Sequence, residues 1–429
     1  MYIESVHISH IRCIEDIHIN FNPHFLPREG KWISGGWSVI IGDNGSGKST
    51  ILKAIAAALI EEYDKQPPFG KDWIRKGHSS AAIEIETELF YDDKYESSDH
   101  KPSHHHRNKA YITISGKNGF ESWEFQDKEN HKREKGFFSM SFAPIRKFTG
   151  EKREDWFSSN PYRSRHASLF NPNMAFTEIT QWLKDERLRA DDNGKESGVI
   201  KGITKLINEG KLLPNETTFE SVKAEGLIFR DFAGNAIGLG ELSDGFQSVL
   251  GIMFELIRQL VACYGEDEVF WSVLNDNHPV INCSGVVLID EIDAHLHPTW
   301  QTKIGQWFTH FFPKLQFIVT THSPLICRGC ANEQGDIQGR IWKLIEAKKG
   351  NEIAEMGENE SNSLIFGDIL DAYDTDAFGE EVTRGQAGKF KQQEYRDLMY
   401  KSIYGLKMTE EEITTFHQLK SIFHSNVKD

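Results

Sequence analysis

A glycine-rich loop between a short apolar strand and a helix constrains this chain more than any other stretch. Residues 38–41 form a mostly apolar, β-branched run, which is typical of a buried strand. They lead into the pattern Gly42-x-x-x-x-Gly47-Lys48-Ser49, and residues 51–60 then have the Ala and Leu content of a helix. The order strand, loop, helix predicts a phosphate-binding loop within an α/β domain, because a chance Gly-rich turn rarely fills the whole pattern in this context.

The residue types in this loop follow from the chemistry of holding a phosphate. Glycine lets the backbone form a concave nest of N–H groups, and the next helix adds the positive end of its dipole. We expect Lys48 to reach the β- and γ-phosphates of ATP and the Ser49 hydroxyl to ligate Mg²⁺. The predicted nucleotide contacts of the loop are Gly42, Asn44, Gly45, Ser46, Gly47, Lys48, Ser49 and Thr50.

Length and composition favour a soluble globular protein that divides into two lobes or carries insertions in one core. The chain has 429 residues, of which 38% are hydrophobic and 26% charged, and a net charge of −15. No apolar run approaches the ~20 residues needed to cross a bilayer, and the first residues do not resemble a signal peptide. Five scattered cysteines suit reduced thiols, so we expect a cytoplasmic protein.

One basic stretch runs against the acidic balance of the chain. Within residues 128–165, basic side chains alternate with aromatic ones, a pattern compatible with DNA binding through the phosphate backbone. A solvated basic surface fits the same composition, and the sequence leaves both interpretations open. The basic residues concerned include Arg146, Lys147, Lys152, Arg153, Arg163 and Arg165.

Alternation of apolar residues over 1–22 predicts a two-stranded hairpin, and further strands are expected before and after a helical insertion. We predict four regions: an N-terminal lobe with the phosphate loop (1–148), a mainly helical insertion (149–225), a C-terminal lobe (226–345) and a helical region that binds a partner (346–429).

The motif Leu242-Ser243-Asp244-Gly245-Phe246-Gln247 precedes a strongly helical run. Ser243 lies where an N-cap is expected, and Gly245 permits close backbone approach. This arrangement predicts a second helix N-terminus that recognises phosphate through Ser243 and Gly245. Taken alone, the motif would favour an ordinary Ser-capped helix.

Two strand ends carry the predicted catalytic groups. Residues 286–289 end in Asp290 and Glu291, and we expect Asp290 to hold Mg²⁺ and Glu291 to orient and deprotonate water. Residues 315–321 end in His322, which is placed to hydrogen-bond the γ-phosphate and report whether ATP or ADP is bound. Pro298 is predicted to open a helix over 300–311.

Together these motifs resemble the head of ATP-binding-cassette (ABC) ATPases. The similarity covers roughly residues 1–325 and is to the soluble, AAA_21-like branch with RecF, SMC and overcoming-lysogenization-defect (OLD) proteins. It implies an α/β fold with an N-terminal antiparallel β subdomain, a mixed or parallel core sheet flanked by helices, a helical insertion and a helical tail. It also implies that two heads sandwich two ATP molecules, with Ser243 of one chain at the γ-phosphate held by Lys48 of the other. The motif at residues 242–247, the family's signature, departs from the commoner Leu-Ser-Gly-Gly form because it has Asp244 and Phe246.

Three functions within this branch remain open. An OLD-type enzyme with its own nuclease needs a Toprim domain, and the tail offers Asp374-Thr375-Asp376 but looks helical. A RecF-like DNA-repair clamp would use the basic stretch. The preferred interpretation is a resemblance to the PtuA-type ATPases of Septu and retron-associated phage defence, which implies a separately encoded HNH nuclease as partner. An SMC-type protein is disfavoured because no heptad array lies between Lys48 and Asp290.

Overall fold

The computed structural model describes residues 1–21, 36–60, 72–89, 94–95, 106–117, 120–127, 133–135, 137–146, 148, 161–171, 176–192, 194–276, 279–345, 351–368, 386–404 and 406–423. Residues Met1–Gly367 form one compact unit and Asp368–Asp429 a second. The architecture is mixed α/β with an antiparallel sheet, a mixed sheet and a helical C-terminal part, which confirms the predicted fold class.

The strands, in chain order, are β1 (Tyr2–Ile11), β2 (Ile14–Asn20), β3 (Gly36–Ile41), β4 (Ser80–Leu89), β5 (Lys94–Tyr95), β6 (His106–Lys117), β7 (Phe120–Asp127), β8 (Arg133–Lys135), β9 (Ser139–Phe142), β10 (Thr218–Val222), β11 (Leu227–Arg230), β12 (Ala236–Gly238), β13 (Gly285–Ile289), β14 (Leu315–Thr321), β15 (Ile341–Ile345) and β16 (Glu352–Glu355). The α-helices are Lys48–Leu59, Pro161–Ser164, Ala167–Phe170, Thr177–Asp192, Gly198–Glu209, Asp244–Tyr264, Glu266–Asn275, Pro298–Gln301, Ile304–Phe311, Glu358–Phe366, Gln386–Ile403 and Glu410–Phe423, and 3₁₀ turns lie at Leu239–Glu241 and Pro324–Cys330.

The N-terminal sheet is antiparallel, with strand order β2-β1-β4-β6-β7. Its alternating pattern puts the isoleucines of β1, β2 and β4 on one face, where Ile8 pairs with both Ile17 and Ile83. This face packs into the core with the helix Lys48–Leu59, whose Ile and Ala residues are almost all buried. The first predicted hairpin is confirmed.

The core sheet has the order β16-β15-β3-β14-β13-β9, in which the central strands β3, β14 and β13 run parallel. Every residue of β13 and β14 is buried, as expected for strands covered on both faces. The carboxyl ends of β3, β14 and β13 therefore meet at one edge of the sheet. That edge is where an open α/β sheet binds its ligand.

Several boundaries differ from those predicted. The helix expected over 300–311 is two helices, because residues 302–303 interrupt it between Pro298–Gln301 and Ile304–Phe311. The insertion also contains strand β10. The predicted border at 345/346 falls between β15 and its antiparallel partner β16, so the first compact unit continues to Gly367.

The helix Asp244–Tyr264 has the length and apolarity of a membrane span, contrary to the expectation that no such run exists. Two thirds of its apolar window (67%) lies buried inside the protein, which is ordinary for the central helix of a folded core. By itself it is therefore weak evidence for a membrane segment.

Candidate nucleotide-binding site

The phosphate loop, residues 42–49, connects β3 to the helix Lys48–Leu59 as predicted. Gly45 and Gly47 have φ of 79° and 108°, a conformation that residues with a Cβ rarely adopt. A Cβ on Gly47 would also lie 2.7 Å from Cys13 Sγ, so this position accepts no side chain without displacing its neighbour. The glycines thus shape a tight turn whose backbone is exposed at the tip.

The start of the following helix suits an anion. Gly47 provides no side-chain cap, and the first helical turn contains no acidic residue. Its N–H groups and the positive end of the helix dipole are therefore available to a phosphate. In the loop the exposed residues are Asp43, Asn44 and Gly45, Ser49 is half-buried, and the buried ones are Ser46, Lys48 and Thr50.

Lys48 links the loop to the acidic strand end. Its Nζ donates hydrogen bonds to the carbonyls of Gly42 (2.8 Å) and Asp43 (3.0 Å). Burial lowers the pKa of Lys48, and the nearby carboxylates of Glu291 and Asp290 oppose that shift. The structure therefore brings the predicted phosphate-binding lysine and the predicted catalytic carboxylates into one site.

Thr320, on β14, holds both acidic residues at the end of β13. Its Oγ1 donates a 2.6 Å hydrogen bond to Asp290 Oδ1 and accepts a 2.8 Å hydrogen bond from the backbone N–H of Glu291. Asp290 is buried, and among the described residues no hydrogen bond reaches its other carboxylate oxygen, which makes that oxygen a candidate ligand for a cation. Thr320 was not among the predicted site residues, and the signal that could have found it is its position on β14, the strand beside the Asp290–Glu291 pair.

Arg146 lies beneath the end of β13, which carries Asp290 and Glu291, instead of facing DNA. Only 4% of it is exposed, and its guanidinium donates to the backbone carbonyls of Asp290 and Glu291 (3.1 Å for Glu291) and to Ser248 Oγ (3.2 Å). Burial lowers the pKa of Arg146 to about 10, against the opposing effect of Asp290, so the side chain stays charged at neutral pH. It supports Glu291, which has a left-handed φ of 45°.

Two other arginines of the basic stretch are also buried. Arg163 and Arg165 are 6% and 5% exposed, and Arg165 lies over the Phe138 ring. Neither interpretation that the sequence left open, a DNA-binding surface or a solvated basic surface, holds for Arg146, Arg163 and Arg165, because all three side chains are inside the core. Lys147, Lys152 and Arg153 lie outside the described residues.

His322 follows β14, next to the end of β13, and is half-buried. Asp293 organises this corner, since its Oδ1 accepts a 2.5 Å hydrogen bond from Thr321 Oγ1 and a 3.4 Å bond from the His322 N–H. The structure thus places His322 at the carboxyl edge of the sheet, as expected. Its contact with a γ-phosphate stays a prediction.

The helix Asp244–Tyr264, here called the signature helix, begins directly after its N-cap residue, Ser243. Ser243 is exposed and occupies the N-cap position, but its hydroxyl makes no capping hydrogen bond. A Cβ on Gly245 would lie 2.5 Å from the carbonyl oxygen of His295. The close approach expected at Gly245 is therefore made to the chain's own 293–297 loop, while the Ser243 hydroxyl is left for another partner.

Asn351 and Cys13, which were not among the predicted site residues, support the phosphate loop through Ser46 and Gly47. The Asn351 side-chain amide donates to the carbonyl of Ser46, and the Asn351 backbone N–H donates to Cys13 O at 3.1 Å. Cys13 Sγ lies 3.8 Å from Ser46 O and packs against Gly47. The β1–β2 turn and the start of β16 thereby hold the loop on the side away from a ligand. Their long sequence separation left no signal.

The fold and this site define an α/β P-loop protein of the nucleotide-binding class. Residues 38–328 match the family described as "AAA domain, putative AbiEii toxin, Type IV TA system". Because the match spans more than half of the 429 residues, the chain belongs to this family.

Curated relatives include two Septu proteins and a retron protein. The chain is 27% identical to "Septu protein PtuA" of Bacillus mycoides (strain KBAB4), over 80% of this chain and 40% of that protein. It is 26% identical to "Septu protein PtuA" of Bacillus thuringiensis, over 77% of this chain and 74% of that protein. A match at 38% identity to "Retron Vc95 probable ATPase" of Vibrio cholerae serotype O1 biovar El Tor covers 31% of this chain and 24% of that protein. The chain thus spans less than half the length of the first and third relatives.

Among solved structures, an SMC head bound to the C-winged helix domain of ScpA aligns with a TM-score of 0.45 at 16% identity, covering 84% of this chain and 99% of that one. The SMC head domain from Thermotoga maritima aligns with a TM-score of 0.43 at 13% identity, covering 83% of this chain and 100% of that one.

Proposed function

We propose that this protein is a cytoplasmic, ATP-hydrolysing head that dimerises around ATP and gates a separately encoded HNH-type nuclease in defence against phage. The observation that carries the enzymatic part is the convergence of Lys48, Asp290 and Glu291 at one sheet edge, close enough for the carboxylates to act on the pKa of the lysine. A phosphate-binding lysine beside a water-orienting carboxylate is the arrangement that phosphoryl transfer to water needs.

Mg²⁺ fits the donor set of this edge, which offers the half-buried Ser49 hydroxyl and the free oxygen of Asp290. When bound, the ion supplies charge neutralisation at the terminal phosphates. The chain's own groups do the remaining work. Backbone N–H groups of residues 42–49 and the Lys48 ammonium bind the phosphates, and Glu291 orients a water and accepts its proton on a carboxylate oxygen. His322 senses the γ-phosphate.

The exposed Ser243 hydroxyl at the start of the signature helix supports the proposed dimerisation. Its lack of a capping hydrogen bond leaves a donor at a helix N-terminus of 21 residues, where an anion is favoured. On this proposal Ser243 of each protomer, with Gly245 supporting the backbone, contacts the γ-phosphate bound to Lys48 of the other. Closing two heads over two ATP molecules would then couple nucleotide state to quaternary structure.

The proposed effector is supported by the names of the Septu and retron relatives and by the helical C-terminal unit. In that unit the helices Gln386–Ile403 and Glu410–Phe423 bury a small core of Tyr395, Leu398 and Leu419. They leave large apolar side chains exposed, namely Phe390, Tyr400, Ile403, Tyr404, Leu406, Ile413 and Ile422. Such a hairpin suits a partner protein. The RecF-like alternative is weakened, because Arg146, Arg163 and Arg165, which favoured it, are buried. An intrinsic nuclease would rely on Asp374 and Asp376, which lie outside the described residues.

Native mass spectrometry of the tagged protein, purified from its own host with and without ATP–Mg²⁺, tests the proposal. We expect a stable complex with an HNH-bearing polypeptide and an ATP-dependent dimer of the head. Glu291→Gln should trap the dimer with ATP, because it keeps the shape but removes the base, while the exposed Glu268→Gln serves as its control.

Lys48→Ala should abolish nucleotide binding and the dimer, whereas the exposed Lys303→Ala should leave both unchanged. Unaltered ATP turnover in Glu291→Gln would overturn the enzymatic assignment. An ATP-dependent homodimer that retains DNA and no second polypeptide would overturn the effector assignment and favour a DNA clamp.

A further inference from the structure

We propose that the β1–β2 turn and the segment before β4 form a site for one divalent transition-metal ion of the zinc type. Its ligands are His10 Nε2, Glu15 Oε1 and His78 Nε2, which come from three separate positions in the chain and lie within 4.8 Å of one another. This site uses none of the residues assigned to the nucleotide site.

The two distances from Glu15 to the histidine nitrogens are close to those of a metal centre. Glu15 Oε1 lies 3.9 Å from His10 Nε2 and 3.6 Å from His78 Nε2. A tetrahedral Zn²⁺ with bonds of about 2.0 Å separates its ligands by ~3.3 Å. Shortening the two histidine–glutamate distances by ~0.6 Å and ~0.3 Å therefore brings them to the required length.

Glu15 is held in the orientation that a ligand needs. Its Oε2 accepts a 2.7 Å ion-pair contact from Arg75 Nε, which leaves Oε1 directed at the two imidazoles. A carboxylate oriented by one outer partner while its other oxygen faces the ion is the usual support of a metal ligand. Arg75 itself is anchored, since its NH1 donates to Arg12 O at 3.1 Å.

The backbone also holds the ligands in place. The Arg75 N–H donates to His10 O at 2.8 Å, and the His78 N–H donates to Arg75 O at 3.1 Å, so both histidines are tied to the same segment. His10 has a φ of 56°, an unfavourable conformation for a residue with a Cβ. The turn thus holds His10 in a strained backbone conformation that places it opposite His78.

The ligand chemistry selects the ion. Two imidazole nitrogens and one carboxylate oxygen suit Zn²⁺ and its neighbours, whereas Mg²⁺ and Ca²⁺ prefer all-oxygen sites. The side chains of His10, Glu15 and His78 are 37%, 40% and 31% exposed, so the ion can enter from solvent and a water can take the fourth position. The two rings stack at 3.9 Å and 20°, and binding requires them to rotate so that each lone pair points at the ion.

The experiment measures Zn²⁺ binding to the nucleotide-free full chain, carrying a tag without histidines and with residues 104–106 replaced by alanine. Competition with a chromophoric chelator gives stoichiometry and affinity. We expect one Zn²⁺ per chain, and a loss of at least ~100-fold in affinity in both Glu15→Gln and His78→Ala. His7→Ala is the matched control, because His7 pairs with Asp16 at 2.6 Å on the same hairpin and should bind Zn²⁺ as the parent does.

Two further readouts distinguish a metal site from a plain ion-pair cluster. Co²⁺ should give a d–d spectrum without a thiolate charge-transfer band, and histidine NMR signals should show the His10–His78 stack opening when Zn²⁺ is added. Absence of stoichiometric binding, equal affinity in the Glu15 and His78 variants, or an equal loss in His7→Ala would each overturn the proposal. Thermal unfolding without metal checks that the variants fold.

Discussion

Thr320 Oγ1 donates a 2.6 Å hydrogen bond to Asp290 Oδ1 across two neighbouring parallel strands. The same hydroxyl accepts the Glu291 N–H, so a single uncharged group fixes both acidic residues of the candidate site. One oxygen of Asp290 is thereby occupied. The relationship supports the proposal that these two adjacent carboxylates have different roles.

Thr320→Val keeps the shape of the side chain and removes that hydroxyl. Leaving Asp290 Oδ1 and the Glu291 N–H without their partner should cost ~1–3 kcal/mol of unfolding free energy. ATP turnover should fall ~10-fold or more, because Glu291 loses its position. Urea unfolding and steady-state kinetics measure the two effects. Thr309→Val is the control, since the Thr309 hydroxyl bonds a carbonyl within its own helix, and equal effects of the two substitutions would contradict the assignment.

Arg146→Lys should separate positioning from binding. Lysine keeps the charge but cannot donate to the carbonyls of Asp290 and Glu291 and to Ser248 at once. We expect kcat to fall by up to ~100-fold with little change in ATP affinity, because the loop that binds phosphate is untouched. Kinetics and nucleotide titration measure the split. Arg340→Lys, which alters an exposed ion pair with Glu355, is the control, and a loss of affinity equal to that of kcat would contradict a positioning role.

Asn351→Ala removes the amide that holds the Ser46 carbonyl behind the phosphate loop. We expect ATP affinity to fall ~10-fold while turnover at saturation is retained, because one hydrogen bond to the loop is lost and no catalytic group moves. Asn351→Asp should be worse, since a carboxylate would face that carbonyl. Nucleotide titration checks the order, with Asn275→Ala as an exposed control, and a stronger effect of alanine than of aspartate would argue against the contact.

His166 predicts a pH dependence of stability. Its ring bonds Ser139 and Ser141 on β9, and burial lowers the pKa of His166 from 6.5 to about 3. Between those values the unfolded chain binds a proton that the folded chain does not, so stability rises with pH and is lost as pH falls from 6.5 towards 3. The free energy of unfolding that His166 contributes falls by at most ~1.4 kcal/mol for each pH unit.

Urea unfolding at pH 7 and pH 5 should therefore show a smaller pH difference in His166→Gln than in the parent. The exposed His18→Gln should keep the parental difference. Equal pH dependence in the parent and His166→Gln would contradict the assignment.

Local pattern was sufficient for the strand–loop–helix unit at Gly42–Ser49 and for the strand ends at Asp290 and His322. Each of these depends on residues that are adjacent in the chain, where apolar runs and glycines report backbone geometry directly. The alternation of β1 and β2 was equally plain. The break near Thr302 was missed because Pro298 and the apolar run after it satisfy the pattern of one continuous helix.

The amino-acid sequence by itself determined the α/β class, the phosphate loop and the two strand ends that face it, since these follow from short-range spacing and strand polarity. Tertiary structure alone decided that Arg146 supports Asp290 and Glu291 from inside, that Thr320 bridges them, and that Asn351 and Cys13 hold the loop. Those contacts join residues 29 to 305 positions apart. The sequence pattern around a basic residue is the same whether its side chain faces solvent or a buried carbonyl. Only the tertiary fold determines which of the two environments the side chain has.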